Sequence, residues 1–551
     1  MIKDYWKDLK REFHGYNAKL FSKDLMAGLT VTAVALPLAL AFGVSSGASA
    51  AAGLITAIIA GLVISIFSGA SFQISGPTGA MTAVLITIVA KYQMQGVFIA
   101  CLIAGIILLL FGLFKIGNLV SFIPMPVVTG FTSGIAIIIA LGQIDNFCGT
   151  TSVGDSALMK LFSYTTLGFS PNWFAVLTGL LVVAIMVFYP KKWNNIVPSS
   201  LVAIIVAALV SNGFGFDVAT VGEIPQTLLP EQRLTIAGID WAVAKELIAP
   251  AFTIAMLAMI ESLLCGSAAA RMNKEPINAD RELVAQGIGN ILIPFFGGVP
   301  ATAAIARTSV AIKSGGVTRL TGIIHAVGLL LSMFLLGPLM AKLPLAALAG
   351  VLIVTAWRMN EWSSIRYIFS KHFKGAIAKF LITMACTVIF DLTIAVLVGV
   401  AFSFLLFVAK ASNIEINVSK VENEKLRGMD ADVERIHKNA MVVYITGSIF
   451  FGNSSKLNTA IEQLPACDEI IFSLRGVSAI DTSGAQNLYE ICEALLAQNV
   501  SVCFCGVQSS VREMLQRAGI EALCGGEAFY WSVDKALMAA VVQNRFSDST
   551  I

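Results

Sequence analysis

The sequence predicts an α-helical membrane protein of about fourteen spans, followed by a small α/β domain. Three observations carry this. Apolar residues make up 57% of the 551-residue chain and charged residues 13%, against about 25% charged in ordinary soluble domains. The shortage of charge is confined to residues 24–410, whereas 411–551 have an ordinary soluble mixture. Finally, two Gly- and Pro-interrupted apolar segments stand seven segments apart, which points to an inverted repeat.

The first 23 residues are read as a cytosolic N-terminal segment. MIKDYWKDLKREF has no apolar core of the kind a secretory signal needs. Tyr5, Trp6, Leu9 and Phe13 fall at helical spacing among Lys and Arg, which predicts an amphipathic helix on the membrane surface.

A spanning helix needs about 20 mostly apolar residues. Candidates lie near 24–43, 50–68, 96–114, 124–143, 172–189, 197–212, 247–265, 318–339, 343–357, 376–390 and 392–410. Shorter candidates lie near 77–90, 283–295 and 301–313. An even total puts both termini on one side. Lys115, Lys191, Lys192, Arg271, Lys274, Arg281, Lys313, Arg319, Arg358, Arg366, Lys371 and Lys374 then fall in inside loops, and this bias predicts cytosolic termini.

The third segment reads Phe72-Gln-Ile-Ser-Gly-Pro-Thr-Gly-Ala, and the tenth reads Gly297-Gly-Val-Pro-Ala-Thr-Ala-Ala-Ile-Ala-Arg. Each has an extended lead-in, a Pro suited to a first helical turn, and a helix of small residues. Because seven is odd, the two run in opposite directions and meet near the bilayer midplane as half-helices. A helix N-terminus carries unpaired N–H groups and roughly half a positive charge, so two of them aimed at one point favour an anion. Gly76, Gly79, Ala80, Ala301 and Ala303 keep the approach open to backbone, and Thr78 and Thr302 add hydroxyls. Within the spans, Arg307 is a candidate to raise the positive potential, and Glu261 to bind a coupling ion or take up a proton. The bland alternative is an ion pair between these two. His325 is read as a packed, hydrogen-bonded histidine and Asp391 as a helix cap or hinge.

The C-terminal stretch alternates strand and helix patterns: 441–452, 454–464, 469–477, 484–499, 500–507 and 509–520. The domain limits are read as 24–410 for the membrane domain, 411–436 for a linker and 437–551 for the soluble domain. Cys503 and Cys505 alternate on a strand and are read as core residues of a reduced domain. Neither zinc spacing nor a Walker A loop is present. No metal, cofactor, nucleic-acid partner or enzymatic activity is expected.

These residues resemble the sulfate permease (SulP) family of anion transporters. AGLTVTAVALPLALAFG at 27–43, ISGPTGAMTAVL at 74–85, IESLLCGSAAARM at 260–272 and ELVAQGIGNILIPFFGGVPATAAIARTSV at 282–310 carry the resemblance. It implies a seven-plus-seven inverted repeat divided into core and gate, elevator movement and a homodimer. It also implies an anion held between the first, third, eighth and tenth helices, with Phe42 among the contacts. Family members often carry Gln after the first-helix Pro, where this chain has Leu38. Sodium-coupled bicarbonate members place Asp and Thr where this chain has Glu261 and Cys265, and losing a hard oxygen ligand favours a proton over sodium. Asp481-Thr-Ser-Gly484 resembles the STAS motif, which makes Ser483 a candidate regulatory phosphosite open to a cytosolic regulator.

The leading expectation is thus a proton-coupled secondary transporter of a small anion of the sulfate, bicarbonate or dicarboxylate class, in the plasma membrane. A sodium-coupled symporter, an anion exchanger, a nucleobase permease and an anion-binding sensor signalling through the STAS domain are the alternatives.

Overall fold

The computed structural model describes residues 2–117, 123–154, 157–190, 193, 197–236, 240–390, 392–411, 414–421 and 439–539. Asp391 and most of the expected linker lie outside the described residues. The chain divides into two compact units, Met1–Ala401 and Phe402–Ile551.

The first unit begins with α1 (Ile2–Glu12) and continues through α2 (Ala18–Ser45) and α3 (Ala50–Phe67). Then come strand β1 (Ser75–Gly76), α4 (Gly79–Leu113), α5 (Met125–Gly142), α6 (Ile144–Cys148), α7 (Ala157–Leu167), α8 (Trp173–Phe188) and α9 (Ser199–Gly213). The second half holds α10 (Trp241–Glu246), α11 (Ile248–Asn273), α12 (Ala279–Leu292), strand β2 (Thr302–Ala303) and α13 (Ile305–Lys313). It ends with α14 (Leu320–Met340), α15 (Leu345–Met359), α16 (Trp362–Ser370), α17 (Lys374–Ile389) and α18 (Leu392–Ala411), whose residues from Phe402 onward count with the second unit. Each of the fourteen apolar stretches contains helix, although 301–313 opens on β2 and 77–90 opens two residues before α4, and among the described residues six helices are long and apolar enough to cross a membrane.

Polar residues mark where these helices start. Asn17, Ser49, Asn172, Asp240 and Asn278 each accept from backbone N–H groups of the turn they open, which satisfies donors the helix cannot. The third and fourth stretches join in α4, broken at Gln93, whose φ of 56° is not helical. The nine residues of α13 rise only about 13 Å, less than half of a ~30 Å hydrocarbon layer.

Helices α2, α3 and α14 pack on one another, and α4 packs on α11 and α12. In a second group α5 packs on α17, and α8 on α9 and α15. Gly105 of α4 faces α12, and Gly287 of α12 faces α4; a Cβ on either would strike the other helix's backbone. Small residues of this kind let membrane helices approach closely. Large apolar side chains such as Leu209, Leu335 and Phe188 point outward, as a lipid-facing surface requires.

α1 is not simply a surface helix. Its acidic side chains engage two buried arginines: Arg281 donates to Asp8 at 2.7 Å, and Arg319 donates to Glu12 at 2.7 and 2.9 Å. The Tyr5 hydroxyl donates to the Ile66 carbonyl. Sequence spacing gave the helix but not these partners.

The second unit contains β3 (Glu415–Lys420), β4 (Ala440–Thr446), α19 (Ser454–Glu462), β5 (Glu469–Gly476), α20 (Thr482–Ala497), β6 (Ser501–Cys505), α21 (Ser509–Arg517), α22 (Ile520–Cys524) and β7 (Phe529–Tyr530). The sheet order is β3-β4-β5-β6-β7, parallel except for β3 against β4. Val443, Phe472, Leu488, Phe504 and Leu515 are buried in its core. Strand β3 falls in the stretch expected to be linker. Ile416 and Val418 alternate with polar residues along it, in step with Ile414 just before it, which explains why it joins the sheet edge.

Candidate functional site

The two lead-ins meet as an antiparallel pair, Ser75 opposite Ala303 and Gly76 opposite Thr302. Each then turns into a helix: Thr78 precedes α4 and Ala304 precedes α13, with no side-chain cap on either. Both prolines therefore lie outside the first helical turns, correcting the sequence expectation. Pro77 precedes the Thr78 cap, and Pro300 lies upstream of β2. Arg307 is in the first turn of α13, not two turns into a helix begun at Pro300.

Unwound backbone inside a membrane must be satisfied by protein, and here polar side chains on neighbouring helices do it. The Asn290 amide accepts from Ala301 N–H at 2.8 Å and donates to the Ala301 carbonyl at 2.9 Å. Val299 N–H donates to the Thr56 hydroxyl at 2.7 Å. Ala303 N–H donates to Ser262 Oγ, and Ile74 N–H to Thr308 Oγ, a hydroxyl that also receives the Cys265 thiol at 3.2 Å. Sequence reasoning missed this set. Its signal is an isolated Thr or Asn in an otherwise apolar helix.

Arg307 is 1% exposed. Its Nη2 donates to the Pro77 carbonyl at 2.7 Å, while Nη1 has no partner among the described residues. The guanidinium thus crosses from α13 to the lead-in of α4, leaving one donor edge unused. Gly76 leaves room for it. Glu261, on α11, accepts from the Thr78 hydroxyl at 2.9 Å. Arg307 and Glu261 are not paired with each other in the structure; each holds the lead-in of α4 separately.

A cavity of about 360 Å³ opens here. Of the expected contacts, Phe42, Thr78, Gly79, Ala303, Arg307 and Glu261 line it. Gly76 lies behind, against Arg307, and Ala80, Ala301 and Thr302 are buried outside the lining. Thr302 is occupied with Ser262 Oγ and the Ala258 carbonyl. Leu38, Phe131, Arg358 and Glu361 line the cavity without having been singled out as contacts from sequence. His325 is buried, but neither ring nitrogen has a hydrogen-bond partner among the described residues, contrary to expectation. Among the described residues no cluster of His, Cys, Asp or Glu could hold a metal ion.

In the second unit Asp481 caps α20 by accepting from Gly484 N–H at 2.7 Å, and Ser483 is exposed in the first turn.

Residues 21–386 match the Sulfate permease family, and 432–536 match the STAS domain. The chain belongs to the sulfate permease family. This permease is 35% identical over 530 residues to YvdB of Bacillus subtilis, provisionally named a sulfate transporter, covering 94% of this chain and 97% of that one. It is 29% identical to the bicarbonate transporter BicA of Picosynechococcus, covering 94% of each. Among solved structures, the transmembrane domain of a cyanobacterial BicA aligns with a TM-score of 0.63 at 32% identity, over 70% of this permease and 98% of that chain. Murine Slc26a9, an anion transporter solved in the inward-facing state, shares the fold with a TM-score of 0.82 at 17% identity, over 95% and 92% of the two chains. These relatives are named as transporters, not enzymes.

Proposed function

We propose that this permease is a secondary active transporter of a small anion of the sulfate, bicarbonate or dicarboxylate class, coupled to protons and moving by an elevator mechanism. One observation carries the reading most: the starts of α4 and α13 open on a common cavity that the Arg307 side chain also lines. Fixed N–H dipoles and one guanidinium attract an anion. The site contacts are Phe42, Thr78, Gly79, Ala303 and Arg307, with Gly76, Ala80, Ala301 and Thr302 shaping the backbone behind them. Glu261 lines the same cavity and is the proton acceptor.

The transport domain is assigned to residues 24–410 and the STAS domain to 437–551. The permease lies in the plasma membrane with both termini cytosolic and works as a homodimer. Ser483 offers an exposed hydroxyl at a helix start, where a phosphate is welcome, so a cytosolic regulator would act there.

The test is uptake of labelled anions into proteoliposomes under an inward proton gradient, an inward sodium gradient or neither. Proton-driven uptake supports the reading. Sodium-driven uptake replaces the coupling ion, and binding without flux replaces the carrier by a sensor.

A further inference from the structure

The charges around the cavity constrain what it can carry. Four ionisable side chains line it: Glu261, Arg307, Arg358 and Glu361. Arg358 is committed elsewhere, donating to the Met186 carbonyl at 2.6 Å, and Glu361 accepts from the Ser364 hydroxyl. Glu261 faces Thr78 on α4, Arg307 on α13 and Cys265 on its own helix, and shares the cavity with Arg358 and Glu361. The lining is thus balanced, two cations against two anions.

The remaining wall offers few free side-chain donors. Leu38, Phe131, Ile139 and Leu352 line it, and the start of α13 presents Ala304, Ile305 and Ala306. Thr132, Thr355 and Asn360 also line it, but each donates to a backbone carbonyl of its own helix or the adjoining turn, the Ser309 hydroxyl turns to Met272 Sδ, and Thr78 donates to Glu261. A doubly charged oxyanion stripped of water needs many donors, and few are offered here.

We infer that the site carries one singly charged anion with each proton, so that neither the loaded nor the empty carrier moves net charge. This rests on the proton-coupled carrier reading. Empty, the Glu261 carboxylate balances Arg307. Loaded, a proton from water forms an O–H bond on a Glu261 oxygen, and the anion takes over the balancing of Arg307. On release the O–H bond breaks and the proton returns to water on the far side. Both forms sum to zero, which is what crossing a low-dielectric layer demands. A doubly charged anion with one proton leaves the loaded form at minus one.

The experiment uses the full chain in proteoliposomes with bicarbonate, nitrate, lactate and sulfate as probes, and with membrane potential clamped by potassium and valinomycin. With acid outside, at least one singly charged probe accumulates at least about tenfold faster than sulfate, and its accumulation is unchanged by the potential. Glu261→Gln, neutral in every state, loses net uptake but retains exchange of the singly charged probe, because the empty form keeps the Arg307 charge. Sulfate uptake matching the singly charged probes overturns the inference and leaves the transport reading standing. So does potential dependence of one net charge, about fifty-fold in accumulation per 100 mV. Absence of uptake and exchange for all four probes overturns both.

Discussion

Nη1 of Arg307 occupies the space that a side chain at Gly76 would fill. The two residues are 231 positions apart, Gly76 on β1 and Arg307 in the first turn of α13, just after the paired β2. Gly76→Ala should displace the guanidinium from the Pro77 carbonyl and weaken anion binding at least about tenfold, ~1.4 kcal/mol. Titration of the purified variant checks this, and unchanged affinity would separate Arg307 placement from anion binding.

Arg307→Ala removes both the bond to Pro77 and the unused edge. Hydrogen bonds to charged groups contribute about 1.5–3 kcal/mol, so anion affinity should fall about 10- to 100-fold. Lysine at this position restores the charge but not the fork and should recover only part of the loss. Equal affinity in the wild type and both variants would make this arginine purely structural.

Glu261→Gln should abolish acid stimulation of uptake and leave anion binding intact, since the amide keeps a partner for Thr78 but cannot cycle a proton. Uptake measured across pH 5 to 8 decides it. A full pH response in the variant rules out the coupling role.

Asn290→Ala strips the partner from both the N–H and the carbonyl of Ala301 inside the membrane unit. A buried backbone group left unsatisfied costs about 1–3 kcal/mol, so Tm should drop measurably. The anion site should loosen with it, because Ala301 leads directly into β2. A variant with native Tm would mean that other groups replace the amide.

Cys503 and Cys505 on β6 have their thiols pushed up to about 12, by burial first and by Glu469 second. Raised values mean neutral thiols throughout pH 7–9, and the thiolate is the nucleophile. Both should resist iodoacetamide at pH 8 in the folded protein and react after denaturation. Rapid native labelling by peptide mass analysis would contradict this.

Much of the fold was legible because apolar length and alternation are local signals. Helix lies in each of the fourteen apolar stretches, and the alternating β4 to α21 fall where the pattern puts them. What escaped was non-local. The sequence reading ends each extended lead-in at its Pro, since nothing within 297–304 says that Asn290, Thr56 and Ser262 hold the backbone extended past Pro300. Hence Pro77 and Pro300 were set inside helices that start later. The same reasoning placed Glu261 and Arg307 at the site but not their separate partners, Thr78 and Pro77. Leu38 and Phe131 reach the cavity through packing, and apolar residues in apolar helices carry no mark of that.

The acidic face of α1 changes how the chain's own orientation signal reads. Arg281 and Arg319 count as loop cations in any tally that sets which side faces the cytosol, yet in the folded chain each is neutralised by Asp8 or Glu12. Two of the cations that the orientation rule counts are therefore neutralised once folding is complete. A shortened chain lacking residues 2–12 would insert correctly and then be left with two stranded guanidinium groups, a defect of maturation rather than of topology.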